Sequence, residues 1–174
     1  MKLGAIAATA VLALAPIVPT SAHADDDTAD ALAELFAMRA DLLAERNQAI
    51  AINVAGIEAQ HLAEIKALGY EPGTTDPREI ARQMMTNKYN WGEDQFTCYN
   101  NIIVRESNWI VTADNPHSSA YGIPQALPGK KMASFGADWR TNAATQIAWG
   151  LWYVKDRYGT PCQAWSFKRA HGWY

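Results

Sequence analysis

The chain has 174 residues, 49% of them hydrophobic and 19% charged, with a formal net charge of −3. That length accommodates one domain of ordinary size plus an appendage. No apolar run beyond the N-terminal one is long enough to span a bilayer, and no CxxC or HExxH spacing marks a metal site.

The first residues, MKLGAIAATAVLALAPIVPTSAHADDD, place Lys2 before an apolar run from Leu3 to Val18. Ala22-His23-Ala24 then supplies small residues, and acidic residues follow. This predicts a secretory signal peptide over residues 1–24 and a secreted, extracellular or wall-associated protein. A membrane anchor is the competing reading, but the run is short and broken by Pro16 and Pro19, so no stable membrane insertion is expected after cleavage.

Residues 25–70 are rich in Ala, Leu, Glu and Ile and contain no proline, which predicts helix almost throughout. Leu35 and Leu42 stand seven apart, yet Ala49 follows in that register, so a coiled-coil heptad is not sustained. The segment reads as a spacer, a self-associating helix or a pairing element, stopped by Gly69. Glu71 to Pro77 is the expected linker. Asp76, Pro77 and Glu79 then open a new helix as N-cap, first-turn proline and capping-box acid. That helix should run to about Asn87, with a break over Tyr89 to Gly92.

The segment Thr97 to Trp109, TCYNNIIVRESNW, is central. Phe96, Tyr99 and Ile103 recur at helical spacing, and the next position on their stripe is Glu106. A carboxylate thus stands where a core residue is due. Ser107, Asn108 and Asn115-Pro116 end the helix just beyond it. An apolar surround and the negative helix end would both favour the protonated acid, which is what general-acid attack on a glycosidic bond needs. The competing reading is a solvated Glu on an exposed last turn.

A long loop follows, and then a short turn over Lys131 to Phe135. A helix is predicted from Asn142 to Tyr158 with Ile147, Leu151 and Val154 as its core face, and a last helix from Pro161 to Ala170. Cys98 and Cys162 are the only cysteines, and an exported chain with an even count favours a disulfide over two free thiols. Six of the seven Trp follow residue 100, suited to stack on sugars or to fill a core. Asp114, His117 and Ser118 share one loop, but that closeness gives no triad geometry. Residues 25–90 carry twelve acidic and six basic side chains, and residues 128–174 two acidic and seven basic ones. A basic C-terminal half could attract a polyanion, and for an exported chain wall polymer is expected rather than nucleic acid.

The Glu106-Ser107 pair with Trp109 at a helix end, then Tyr121-Gly122-Ile123-Pro124-Gln125, then QIAWGLWYVKDRYG, resembles the soluble lytic transglycosylases. These are relatives of goose-type lysozyme, and the likeness is to their secreted actinobacterial members with a helical N-terminal extension. The resemblance covers about residues 80–174. It implies a mainly α, lysozyme-like catalytic domain over 78–174, no cofactor, and peptidoglycan glycan strands as partner. Glu106 would be the catalytic acid/base and Ser107 a substrate-holding neighbour. Tyr121 and Gln125 would line the cleft from the segment matching the family's Gly-Leu-Met-Gln stretch. The family's later Ala-Tyr-Asn-Ala-Gly stretch is absent, and Ala164-Trp165-Ser166-Phe167 falls near it, with Trp165 or Phe167 in the space of the usual tyrosine. Tyr174 could replace that hydroxyl if the chain folds back. The implied reaction cuts the bond between N-acetylmuramic acid and N-acetylglucosamine, with closure of a 1,6-anhydro ring. A hydrolytic muramidase, which would more often want a second carboxylate, and a non-catalytic peptidoglycan-binding wall protein are the alternatives.

Overall fold

A computed structural model describes residues 26–174. The expected signal peptide lies outside the described residues. The chain is mainly helical: α1 (Asp26–Leu68), α2 (Pro77–Tyr89), α3 (Glu93–Glu106), α4 (Ala143–Tyr158) and α5 (Pro161–His171). A 3-10 turn, Gly129–Ser134, interrupts the loop between α3 and α4. Among the described residues no helix is long and apolar enough to cross a membrane. The described residues divide into two compact units between Ile52 and Asn53.

In the first unit the described residues are helical, and the apolar side chains Leu32, Leu35, Phe36, Met38, Leu42 and Leu43 are exposed. Composition makes this segment helical, while its apolar residues find no core.

The second unit buries its apolar stripes on α2 to α5. Ile80, Met84 and Met85 of α2, Phe96, Tyr99, Ile102 and Ile103 of α3, and Ile147, Leu151 and Val154 of α4 form one cluster. Each such side chain stabilises the fold by about 1.5–3 kcal/mol when fully buried. The helix ends follow the local sequence. Asp76 caps α2 by accepting from the Arg78 N–H, and Pro77 fills the first position. Glu79 departs from the expected capping box: its carboxylate takes Arg82 and Gln83 instead. Asn142 caps α4 at the Ala144 and Thr145 N–H groups, and Thr160 caps α5 at the Gln163 N–H.

Residues 69–71, at the start of the expected linker, are anchored to α2 and the core. The Gln83 side chain accepts from the Glu71 N–H at 2.7 Å, Asn87 donates to the Gly69 carbonyl at 3.0 Å, and Tyr70 packs against the main cluster.

Gln146 organises the loop. It is fully buried on α4. Its oxygen accepts from the Ile123 N–H at 2.8 Å, and its nitrogen donates to the Val111 and Trp139 carbonyls at 3.0 and 2.8 Å. Three separate loop segments are thereby fixed to one helix. Gly122 is required there: its φ is +75°, and a Cβ would stand 2.5 Å from the Gln146 oxygen.

Candidate active site

The central helix ends on Glu106, as Ser107 and Asn108 predict, with the Ser107 N–H closing on the Ile103 carbonyl. Glu106 lines a cavity of about 620 Å³ in residues 53–174, together with Gln125, Trp149, Tyr153, Trp173 and Tyr174. It is the one carboxylate side chain among the described residues of that lining. Its surround is not purely apolar. Lys168 of α5 forms an ion pair with Glu106 Oε1, with only 9% of the lysine side chain and 19% of the glutamate side chain exposed.

That pair depends on how α5 docks on α3. Cys98 and Cys162 form the expected disulfide with their Cα atoms 4.9 Å apart. Beside it, Gln95 accepts from the Cys162 N–H at 3.1 Å. Pro161, Ala164 and Lys168 are the buried positions of α5. The cation therefore sits on an apolar stripe of α5, as the carboxylate does on α3. That same spacing is the signal in the sequence for Lys168, which the aromatic residues of this segment mask.

Tyr174 does fold back into the cavity. Its hydroxyl donates to the Pro124 carbonyl at 3.1 Å rather than to Glu106, and its ring lies 5.5 Å from Lys168 Nζ. Burial pushes its hydroxyl well above the ordinary tyrosine value, and nearby Tyr99 and Glu106 add to the rise. The space beside the carboxylate is thus held by Lys168 and Tyr174, and not by Trp165 or Phe167.

The remaining expected site residues are dispersed. Gln125 joins Glu106 in the cavity; its backbone has φ +48°, and its amide donates to the Ala113 and Gly122 carbonyls at 3.1 and 3.0 Å. Ser107 is buried behind the cavity, where its hydroxyl donates to the Ile123 carbonyl at 2.7 Å and accepts from the Trp109 N–H. It fastens the helix end to the 122–125 turn and is not among the lining residues. Tyr121 lines a separate hollow of about 320 Å³ with Asp114, Trp139 and Arg140, its hydroxyl donating to the Arg140 carbonyl. Trp165 lines another of about 440 Å³, where the Arg105 and Arg169 guanidinium groups lie 4.5 and 5.8 Å from its ring.

Backbone strain gathers near Glu106. Asn108 and Trp109, just past α3, have φ of +50° and +66°. A bulky residue rarely holds that conformation unless its surroundings over-determine it. Here the buried Trp109 is held by Asn100, which accepts from its indole N–H at 2.9 Å.

Other acids are placed elsewhere. Asp138 accepts from Asn142 and Thr145, and these bonds, Asn142 first, hold its carboxyl below the usual range. No hydrogen bond joins Asp114, His117 and Ser118; the Ser118 hydroxyl accepts from the Ala120 N–H. Among the described residues no cluster of His, Cys, Asp and Glu is arranged to hold a metal ion. Compared with family models, curated proteins and solved structures, the chain matches none.

Proposed function

We propose that this chain cuts the glycan strands of peptidoglycan as an exported lytic transglycosylase, with residues 78–174 as a lysozyme-like catalytic region and Glu106 as its single acid/base. The observation that carries the reading is a lone acidic side chain in a cavity walled by Trp149, Tyr153, Trp173 and Tyr174. Such rings suit the faces of sugars. A reaction that needs only one carboxylate fits this wall better than one that must also activate water, for which a second acid is usual.

In the proposed cycle Glu106 gives its proton to the glycosidic oxygen, and the C1–O bond of N-acetylmuramic acid breaks as N-acetylglucosamine leaves with that proton. The carboxylate then takes the proton of the muramic C6 hydroxyl, whose oxygen bonds to C1 and closes the anhydro ring. Glu106 ends protonated again, and no water is consumed. In the resting protein Glu106 is paired with Lys168, so that pair must open before the first step. The exposed apolar residues of α1 support a pairing role for that helix. Sedimentation of the chain with and without residues 25–52 would test it, and an unchanged mass would refute it.

The experiment for the reaction is digestion of purified peptidoglycan with product analysis by mass spectrometry. Anhydro-muropeptides are expected from the parent and none from Glu106→Gln, with binding to the wall retained. A Glu106→Gln protein as fast as the parent would remove Glu106 from its role. Reducing products alone would mean that water replaces the C6 hydroxyl and the enzyme is a muramidase. The Lys168 pair favours one further reading, a wall-binding protein whose neutralised Glu106 does no chemistry. Binding without any cleavage by the parent would select it.

A further inference from the structure

The cavity around Glu106 carries more basic side chains than acidic ones. Arg105, Lys131, Arg157 and Lys168 line it beside one acidic side chain, Glu106. Lys168 is matched to Glu106. The other three are not: among the described residues, none of them forms an ion pair with an acid. Arg105 donates to the Asn101 carbonyl, and Arg157 lies over the Tyr158 and Trp173 rings. Neither contact neutralises charge. Lys131, on the 3-10 turn, has an exposed side chain. This local excess is opposite in sign to the net charge of the chain, which is −3.

Unpaired cations on the wall of a concave site focus potential into it and favour anions over neutral ligands of the same shape. A neutral sugar strand would gain nothing from them. We propose that the cavity selects glycan strands whose sugars carry carboxylates, with Lys131 and Arg157 as the groups that engage them while the aromatic side chains hold the rings. The proposal rests on the glycan reading above and narrows it. In peptidoglycan two sources offer this chemistry: the lactyl carboxylate of a muramic residue stripped of its peptide, and the acids of an intact stem peptide. Lys131 and Arg157 come from different elements that face one cavity, the 3-10 turn and the last turn of α4. A strand lying against the aromatic wall would meet both.

The test measures binding to full-length Glu106→Gln by calorimetry, with probes that are not turned over. The probes are a peptide-stripped glycan strand, the same strand with its carboxylates converted to methylamides, a peptide-bearing strand, and a neutral N-acetylglucosamine hexamer. Lys168 loses its partner in this background, but equally for every probe and variant. The stripped strand should bind roughly tenfold tighter than its amidated form at low salt. That advantage should shrink as salt is raised. In the Lys131→Ala/Arg157→Ala double variant it should vanish, with affinity for the neutral hexamer unchanged, and in Arg157→Lys it should persist. Peptide-bearing strand above stripped strand would assign the carboxylate to the stem. Equal binding of the acid and amide forms overturns the proposal and leaves the glycan reading standing. So does an advantage that survives the double variant. Failure of all four probes to bind overturns both.

Discussion

Two buried groups show how much of this site rests on single side chains. Gln146 satisfies an N–H and two carbonyls from three loop segments. Gln146→Leu keeps the size and strands those groups in the core, so a loss of about 2–4 kcal/mol is expected by chemical denaturation. Gly150 of α4 is equally confined: a Cβ there would meet the Tyr99 hydroxyl at 2.6 Å and Pro124 at 3.1 Å. Gly150→Ala should cost about 1–3 kcal/mol through overpacking, and a stability equal to the parent would show that Tyr99 can move aside. At this scale the sequence was legible where a residue broke its own element's pattern. Glu106 stood out on an apolar stripe. Lys168 broke the α5 pattern just as plainly, but its meaning needs α3 opposite, and no helical period carries that pairing. Ser107, Tyr121 and Trp165 were expected beside Glu106 from adjacency in a motif. Their side chains leave α3, the loop and α5 in other directions.

Between elements, the disulfide is the tie that sets Lys168 against Glu106. It closes a loop of 64 residues, for which the chain-entropy account gives about 4 kcal/mol. Cys98→Ser should lower the melting temperature and weaken activity on peptidoglycan, while thiol labelling of the folded parent should find no free cysteine. Full labelling without reductant would contradict the bond. Helix existence was readable from apolar residues at helical spacing and from the Asp76-Pro77 start. The long loop was not. Its course is dictated by hydrogen bonds to a buried glutamine whose partners lie up to 35 residues away. Likewise Glu79 has the spacing of a capping box, yet Arg82 and Gln83 offer it better partners.

For the whole molecule, alkaline pH should be the sensitive limit. Burial raises the Tyr99 and Tyr174 hydroxyls above the ordinary 10.0. A group with a raised folded value holds its proton more tightly in the native state. Its contribution is therefore complete below the unfolded value and is lost as pH climbs past it. Stability should hold up to about pH 10 and then fall, with the phenolate absorbance of these two tyrosines appearing together with unfolding. Phenolate signals from both in a still-folded protein would contradict their burial. A second expectation concerns the first helix. A chain beginning at Asn53 should fold with the stability of the parent's second unit. One beginning at Thr75 loses Tyr70 from the core and the bonds made by Gly69 and Glu71, a cost of about 1–3 kcal/mol by thermal melting. Equal melting of the two would return the 71–77 stretch to the role of a passive linker.

The anchoring of the loop at Val111, Ile123 and Trp139 has a consequence for variation. Fixed ends leave the intervening chain free to change length. The Asp114–Tyr121 bridge closes a small hairpin whose tip, 116–119, is exposed. Residues inserted at that tip would alter one rim of the cavity without disturbing the amide that holds its base. New ligand preferences could therefore be grafted onto this framework by exchanging short peptides at the rim, with the helices and their single covalent tie untouched.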